Sequence, residues 1–236
     1  MGLKLITPPA VEPVLLADAK AFLRVSVTTD DALISSFITA ARQYCEGYLG
    51  RQLINATYKF SFDTFPLYSG TQFPWPFLQQ VPVAGAYQLG TYYMSTPNLG
   101  ILSPVDRRKL TWPNVGNIAL PKPSLQSVTS IQYMDVNNTL QTWDPSNYQV
   151  ITDNDPGYIL PLQSYPTVSS TAADGVQITY VAGYGPDGTS VPGTIAIAIK
   201  LMLAGWYETR SPSTVAAGVE QAVHSLLSQY VFEGNV

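Results

Sequence analysis

"DDALISSFITAARQYCEGYLGRQL", Asp30 to Leu53, is the stretch on which the fold turns. Leu33, Ile34, Phe37, Ile38, Ala41, Tyr44, Cys45, Tyr48 and Leu49 recur at helical spacing and make one apolar stripe. Thr28 or Thr29 can cap the start, Asp30 and Asp31 lie where the helix dipole favours negative charge, and Gly50 suits the left-handed residue past the end. At about 1.5 Å per residue the predicted helix is roughly 30 Å long.

Toward the N-terminus, Leu16, Ala19, Phe22 and Leu23 predict a short amphipathic helix from Leu15 to Arg24, after an extended entry marked by Pro8, Pro9 and Pro13. This helix should lie on the long one. Toward the C-terminus the period changes to two at Ala56. Tyr58, Phe60 and Phe62 alternate with Thr57, Lys59 and Ser61, the pattern of a half-buried strand.

Between Asp63 and Asp106 no charged residue occurs, and Pro66, Pro74, Pro76 and Pro82 break any helix. An irregular loop is expected there, with strands near Tyr87–Met94 and Arg107–Trp112. Further strands are expected at Ser127–Met134, Tyr148–Thr152, Tyr158–Leu160 and Val176–Ala182, separated by the turns "DVNN", "DPSN" and "DNDPG". Helix returns at Pro192 and runs to about Glu208, apolar on nearly every face, so cover is expected all round it. A last amphipathic helix, Ala217 to about Phe232, carries Val219, Val223, Leu226, Leu227, Tyr230 and Val231. The expected fold is α+β: a helical body from an N-terminal pair and two C-terminal helices, with a mostly antiparallel β region inserted. Residues 1–55 supply the first helices, 56–190 the β-rich insertion and 191–236 the closing helices.

The 236 residues, 46% hydrophobic, suffice for one sizeable core or two small ones. With 12 Lys plus Arg against 16 Asp plus Glu, the net charge is -4, so no broad basic face for nucleic acid can form. The single cysteine, Cys45, rules out an intramolecular disulfide, and no charged segment followed by an apolar one opens the chain, so secretion is not expected. The apolar run Val191–Tyr207 is shorter than the ~20 residues of a membrane span and carries Lys200.

Several motifs invite a chemical reading. "GYGPDGTSVP", Gly183 to Pro192, spells G-x-G-x-x-G after a strand, but Thr-Ser-Val separates Gly188 from the helix and Pro186 removes a backbone donor. Its glycines are better read as turn residues. "DNDPG" opens like a calcium loop, yet Ser164 stands where the twelfth-position glutamate belongs. One histidine, His224, and one cysteine cannot build a zinc site, and no metal or cofactor is expected. His224 reads as a surface residue with Glu220 one turn away, and Cys45 as a core residue. Serine lacks a nucleophile elbow. Asp135, Asp144, Asp153 and Asp174 could in principle form a glycosidase pair, but turn propensity accounts for each. Arg107, Arg108 and Lys109 are too few for a nucleic-acid patch. The charge-free stretch holds Tyr68, Phe73, Trp75, Phe77, Tyr87, Tyr92 and Tyr93, a composition suited to a protein interface or to capping the β core.

Taken in order, "LKLITPPAVEPVLLADAKAFLRV", "DDALISSFITAARQYCEGYLGRQL", "PKPSLQSVTSIQYMD", "DPSNYQV", "VQITYVAGYG", "VPGTIAIAIKLMLAGWYETR" and the terminal amphipathic helix resemble the head-tail connector (adaptor) proteins of tailed bacteriophages. The likeness covers about Leu3–Phe62 and Pro121–Phe232. It implies a non-enzymatic, dodecameric ring that docks on the portal after DNA packaging, extends the DNA channel and offers a platform to the stopper or tail. DNA would pass through without specific binding, and the protein would sit in the virion neck after assembly in the host cytoplasm. The implied portal-docking residues are Leu226, Leu227, Tyr230, Val231 and Phe232. Ring contacts would draw on the Asp30–Leu49 helix, Trp206 and Tyr207. The stretch from Pro66 to about residue 117 departs from the pattern by its length, and is expected to be an arm that reaches a neighbouring subunit, the capsid or the tail through Phe73, Trp75, Phe77, Tyr87, Tyr92 and Tyr93. The rival reading is a β-rich tail or adhesin module that stacks carbohydrate on Trp75, Trp112 and tyrosines. That module has no use for three amphipathic helices.

Overall fold

The computed structural model describes residues 1–66, 116–209 and 217–232. Within them the elements run β1 (Gly2–Thr7), α1 (Leu16–Leu23), α2 (Asp31–Leu49), β2 (Ala56–Phe62), β3 (Ile118–Ala119), β4 (Leu125–Met134), β5 (Leu140–Thr142), β6 (Tyr148–Ile151), β7 (Tyr158–Pro161), β8 (Val176–Ala182), α3 (Gly193–Thr209) and α4 (Ala217–Leu227). The fold is α+β. Two antiparallel sheets form, one in the order β1-β2-β8-β4-β5 and the other β3-β7-β6.

Each pattern finds its own core. In α2 the stripe Ile34, Phe37, Ile38, Ala41, Cys45 and Leu49 packs against Ile195, Ala198, Ile199, Met202, Leu203 and Trp206 of α3, with Val223 and Leu227 of α4 closing the cluster. Fully burying one such aliphatic side chain contributes about 1.5–3 kcal/mol, far more than helix propensity alone supplies. In the β region the alternation is strict: Ala56, Tyr58, Phe60 and Phe62 on β2 face Val176, Ile178, Tyr180 and Ala182 on β8. Phe65, Trp143, Tyr148 and Tyr165 extend that core as an aromatic cluster, with Phe65 stacked on Tyr165 at 4.7 Å.

Four expectations are revised. The entry segment is a strand: residues 2–7 pair with β2, so the first 55 residues supply the sheet as well as the helical body. The α2 N-cap is Asp30 rather than a threonine, and it makes no capping bond, because its carboxylate accepts from the Tyr207 hydroxyl at 2.6 Å instead. Helix α3 is not covered all round in the single chain, since Ile197 is half exposed. Helix α4 stops at Leu227 and passes through one tight turn, Ser228–Tyr230, into extended chain. The short β3 and β5 are too brief to show a period in sequence. The strands expected at residues 87–94 and 107–112 lie outside the described residues.

Candidate functional site: assembly and docking surfaces

A buried polar seam joins the N-terminal segment, α2 and the β region. Arg42 Nε donates to Glu12 Oε2 and its Nη1 to Glu46 Oε2, both at 2.7 Å. Thr39 donates to the other Glu12 oxygen at 2.8 Å. Glu46 Oε1 also accepts from Gln52 Nε2 and the Leu53 N–H, and Tyr58 on β2 donates to Gln52 at 2.5 Å. Burial works against the charge on Arg42, but the Glu12 hydrogen bond and the Glu46 charge outweigh it and hold the guanidinium pKa above its ordinary value. Burial pushes the Glu46 carboxyl up against the opposing pull of Arg42. Arginine stays protonated and Glu46 accepts from three donors, so the pair is charged. A second clamp, Arg51–Asp155 at 2.8 Å, ties the end of α2 to the β6–β7 turn. That turn is the "DNDPG" stretch, so Asp155 holds an arginine.

The glycine-rich stretch is likewise explained by packing. Gly183 has φ +142, and a Cβ there would meet Asn55 N at 2.6 Å. A Cβ on Gly188 would meet the Pro13 carbonyl at 2.6 Å. These glycines let β8 and the loop before α3 press against neighbouring backbone.

The expected docking stripe divides. Leu227 is fully buried in the helical core, so it anchors α4 and is unavailable to a partner without rearrangement. Leu226, Tyr230 and Val231 are partly buried against that core, and Phe232, also partly buried, donates its backbone N–H to the Leu49 carbonyl at the end of α2. His224 is not a free surface residue. Its Nε2 lies 2.9 Å from the Tyr44 hydroxyl and its ring stacks on Tyr48 at 4.5 Å, fastening α4 to α2. Tyr44 is raised by burial and by nearby Glu220.

Of the expected ring-contact residues, Trp206 is buried edge-on to Phe37, at 6.1 Å and 63°, and Tyr207 is half-buried with its hydroxyl on Asp30. Trp206 therefore builds the core rather than the surface. Phe73, Trp75, Phe77, Tyr87, Tyr92 and Tyr93 lie outside the described residues, as do Tyr68, Trp112 and the 107–109 basic cluster. What the structure shows is where that stretch departs and returns. Phe65 stacks on Tyr165, whose hydroxyl donates to the Gly116 carbonyl, so both ends are held at one aromatic cluster.

Chemical groups are otherwise committed. Burial pushes the Cys45 thiol up to about 12. Asp135 is held below the usual carboxylate range by the Thr139 N–H, with Gln141 and Asn137 also donating, and Asp144 by the Ser146 N–H. Asp174 accepts from Ser61. Asp135 and Asp144 each serve their own turn, while Asp174 ties its turn to β2. Among the described residues no three His, Cys, Asp or Glu side chains come together to hold a metal ion, and no described helix is long and apolar enough to cross a membrane.

Sequence reasoning missed one surface. Of the thirteen large apolar side chains exposed among the described residues, eight fall within the first 27: Met1, Leu3, Leu5, Ile6, Val11, Leu15, Phe22 and Val27. Four apolar residues among the first six, Met1, Leu3, Leu5 and Ile6, are the sequence signal for this surface.

Residues 14–70, which span α1, α2 and β2, match the family of phage gp6-like head-tail connector proteins. Over nearly its whole length the chain is similar in fold to a protein in the neck of an empty gene transfer agent (GTA) particle computed with C6 symmetry, at 17% identity and TM-score 0.67, covering 98% of this chain and 95% of that one. With the same coverage it is similar to a chain of the virion of the native particle (17%, 0.66) and to one in the neck of the native particle computed with C12 symmetry (18%, 0.61). No curated protein sequence matches. The chain thus has the α+β fold of phage-like neck proteins, with a head-tail connector likeness in its N-terminal part.

Proposed function

We propose that this is a structural, non-enzymatic neck protein that forms a ring, docks on the portal once DNA is packaged, and presents a platform to a stopper or tail. The observation that carries the reading is the whole-chain fold likeness to particle-neck proteins, joined to the connector likeness of residues 14–70. The ring is proposed to be dodecameric, to lie in the virion neck and to be assembled in the host cytoplasm. A net charge of -4 suits a channel through which DNA passes without being held.

The portal contact is proposed at the end of α4, through Leu226, Tyr230, Val231 and Phe232, with Leu227 fixing the helix beneath them. Tyr207 is proposed to lie near a ring contact. The uncharged aromatic stretch, based at Phe65, Tyr165 and Gly116, is proposed to reach a neighbouring subunit, the capsid or the tail.

The test is to add labelled protein to DNA-filled, tailless heads and to portal-less shells. Stoichiometric co-sedimentation with portal-bearing heads alone is expected. Equal binding to both, or to neither, would contradict the proposal.

A further inference from the structure

Among the described residues, nothing covers the two strands that end the five-stranded sheet. On one side, β1 is exposed along its full length. Its Leu3 pairs with Phe60 and its Leu5 with Tyr58, so both leucines stand on the core face of the sheet, yet they remain 41% and 45% exposed. The β core simply runs out at this edge. On the other side, β5 and the hairpin turn before it, residues 136–142, are exposed throughout, with Val136 and Leu140 the large apolar groups.

The charges at the two edges are opposite. Lys4 on β1 sits directly across from Lys59 on β2, a like-charge pairing that costs stability unless an acid lies nearby. Past the Gly2 end of the strand, Asp63 accepts from the Asp174 N–H and Asp174 accepts from the Ser61 hydroxyl. The β5 edge is bracketed by Asp135, half-buried with its carboxylate on the hairpin turn, and by Asp144, which is exposed. An uncovered apolar edge strand is a template for strand addition, and proteins retain one where a partner uses it.

We infer that β1 of one copy pairs with β5 of the next, so that the sheets join edge to edge around the ring. The inference rests on the ring proposed above and names its contact. Two different edges of one chain meeting head to tail make a heterologous interface, the kind that closes into a ring when the rotation allows. The sheet has five strands, all antiparallel to their neighbours, so β1 and β5 point the same way. Successive copies related by a small rotation would therefore pair these strands in parallel. Lys4 then faces the acidic hairpin, and the exposed leucines of β1 gain cover.

Cysteines placed on the core face test this directly: Leu5→Cys on β1 and Gln141→Cys on β5, with a short bis-maleimide added to assembled protein. Gln141 shares that face because it pairs with Tyr133, and Cys45 is fully buried and should not interfere. A ladder extending beyond the dimer is expected only when both cysteines are in the same chain. Dimers from Leu5→Cys alone would show a two-fold β1–β1 contact and overturn the inference. So would rings that assemble without crosslinking, in which case the ring proposal stands and this contact falls. Protein that stays monomeric both free and on portal-bearing heads removes the ring proposal and this contact together. As a second reading, Lys4→Asp should raise the concentration needed for assembly about tenfold, and Asp144→Lys added to it should restore assembly. No loss with Lys4→Asp, or no restoration, would count against the pairing.

Discussion

The helical body and the β region solve the same packing problem with different residues. The helical core is aliphatic, built from Ile34, Ile38, Ile195, Ile199 and Leu203 around one thiol, whereas the β core is aromatic, built from Tyr58, Phe60, Phe62, Phe65, Trp143 and Tyr180. The two clusters stay separate, and a polar seam through Glu12, Arg42, Glu46, Gln52 and Tyr58 connects them. Apolar packing is tolerant of small shifts, while a buried charge network accepts only one arrangement. The seam therefore fixes how the connector-like helices sit on the five-stranded sheet.

The strongest way to break this arrangement is Arg42→Ala. It leaves Glu46 buried and Glu12 unpaired, and should cost about 3–5 kcal/mol in urea unfolding, with the two regions then melting apart. A change under 1 kcal/mol would mean that the seam is incidental. Next is Tyr180→Phe inside the β core. The hydroxyl donates to the Pro121 carbonyl at 2.6 Å, so its loss should cost about 1–3 kcal/mol, felt in the β region first.

Acid should act on the two regions with opposite sign. Glu46 has a raised folded-state pKa, so the cost of keeping it charged is present above that value and is relieved as pH falls toward the ordinary carboxylate range. Asp135 and Asp144 have lowered values, so their contribution is full above the ordinary value, near ~4, and is lost as pH falls through the folded-state one. Segment-resolved hydrogen exchange should show α2 gaining protection on mild acidification and the β4–β5 hairpin losing it below about pH 4. Asp135→Asn with Asp144→Asn should flatten the hairpin response and leave α2 unchanged. The smallest effect is chemical: with its thiol raised to about 12 and buried, Cys45 should resist maleimide at neutral pH and react only as the helical core opens.

The contrast also governs what could be read in advance. Period 3.6 over Asp31–Leu49 and period 2 over Ala56–Phe62 and Val176–Ala182 are written in side chains that must face a core, and those elements appear where the pattern puts them. Strand β1 left only a brief mark, Leu3-Lys4-Leu5, because an edge strand exposed along its length needs little buried alternation. The Asp30 cap was misassigned because a helix start can be satisfied from a distant element, here Tyr207. The docking stripe at α4 was legible as amphipathic, but amphipathicity does not say whether the apolar side meets the chain's own core or a partner; Leu227 meets the core. The ends of the aromatic stretch, brought together by Phe65, Tyr165 and Gly116, depended on contacts across about a hundred residues that no local pattern encodes.

The most direct test of the connector role is joining itself. Particles assembled without this protein should accumulate as DNA-filled heads and separate tails, and adding the purified protein should unite them into tailed, infectious particles counted by electron microscopy and plating. If heads and tails join equally well in its absence, or if the added protein leaves them apart while remaining folded, the connector account is wrong.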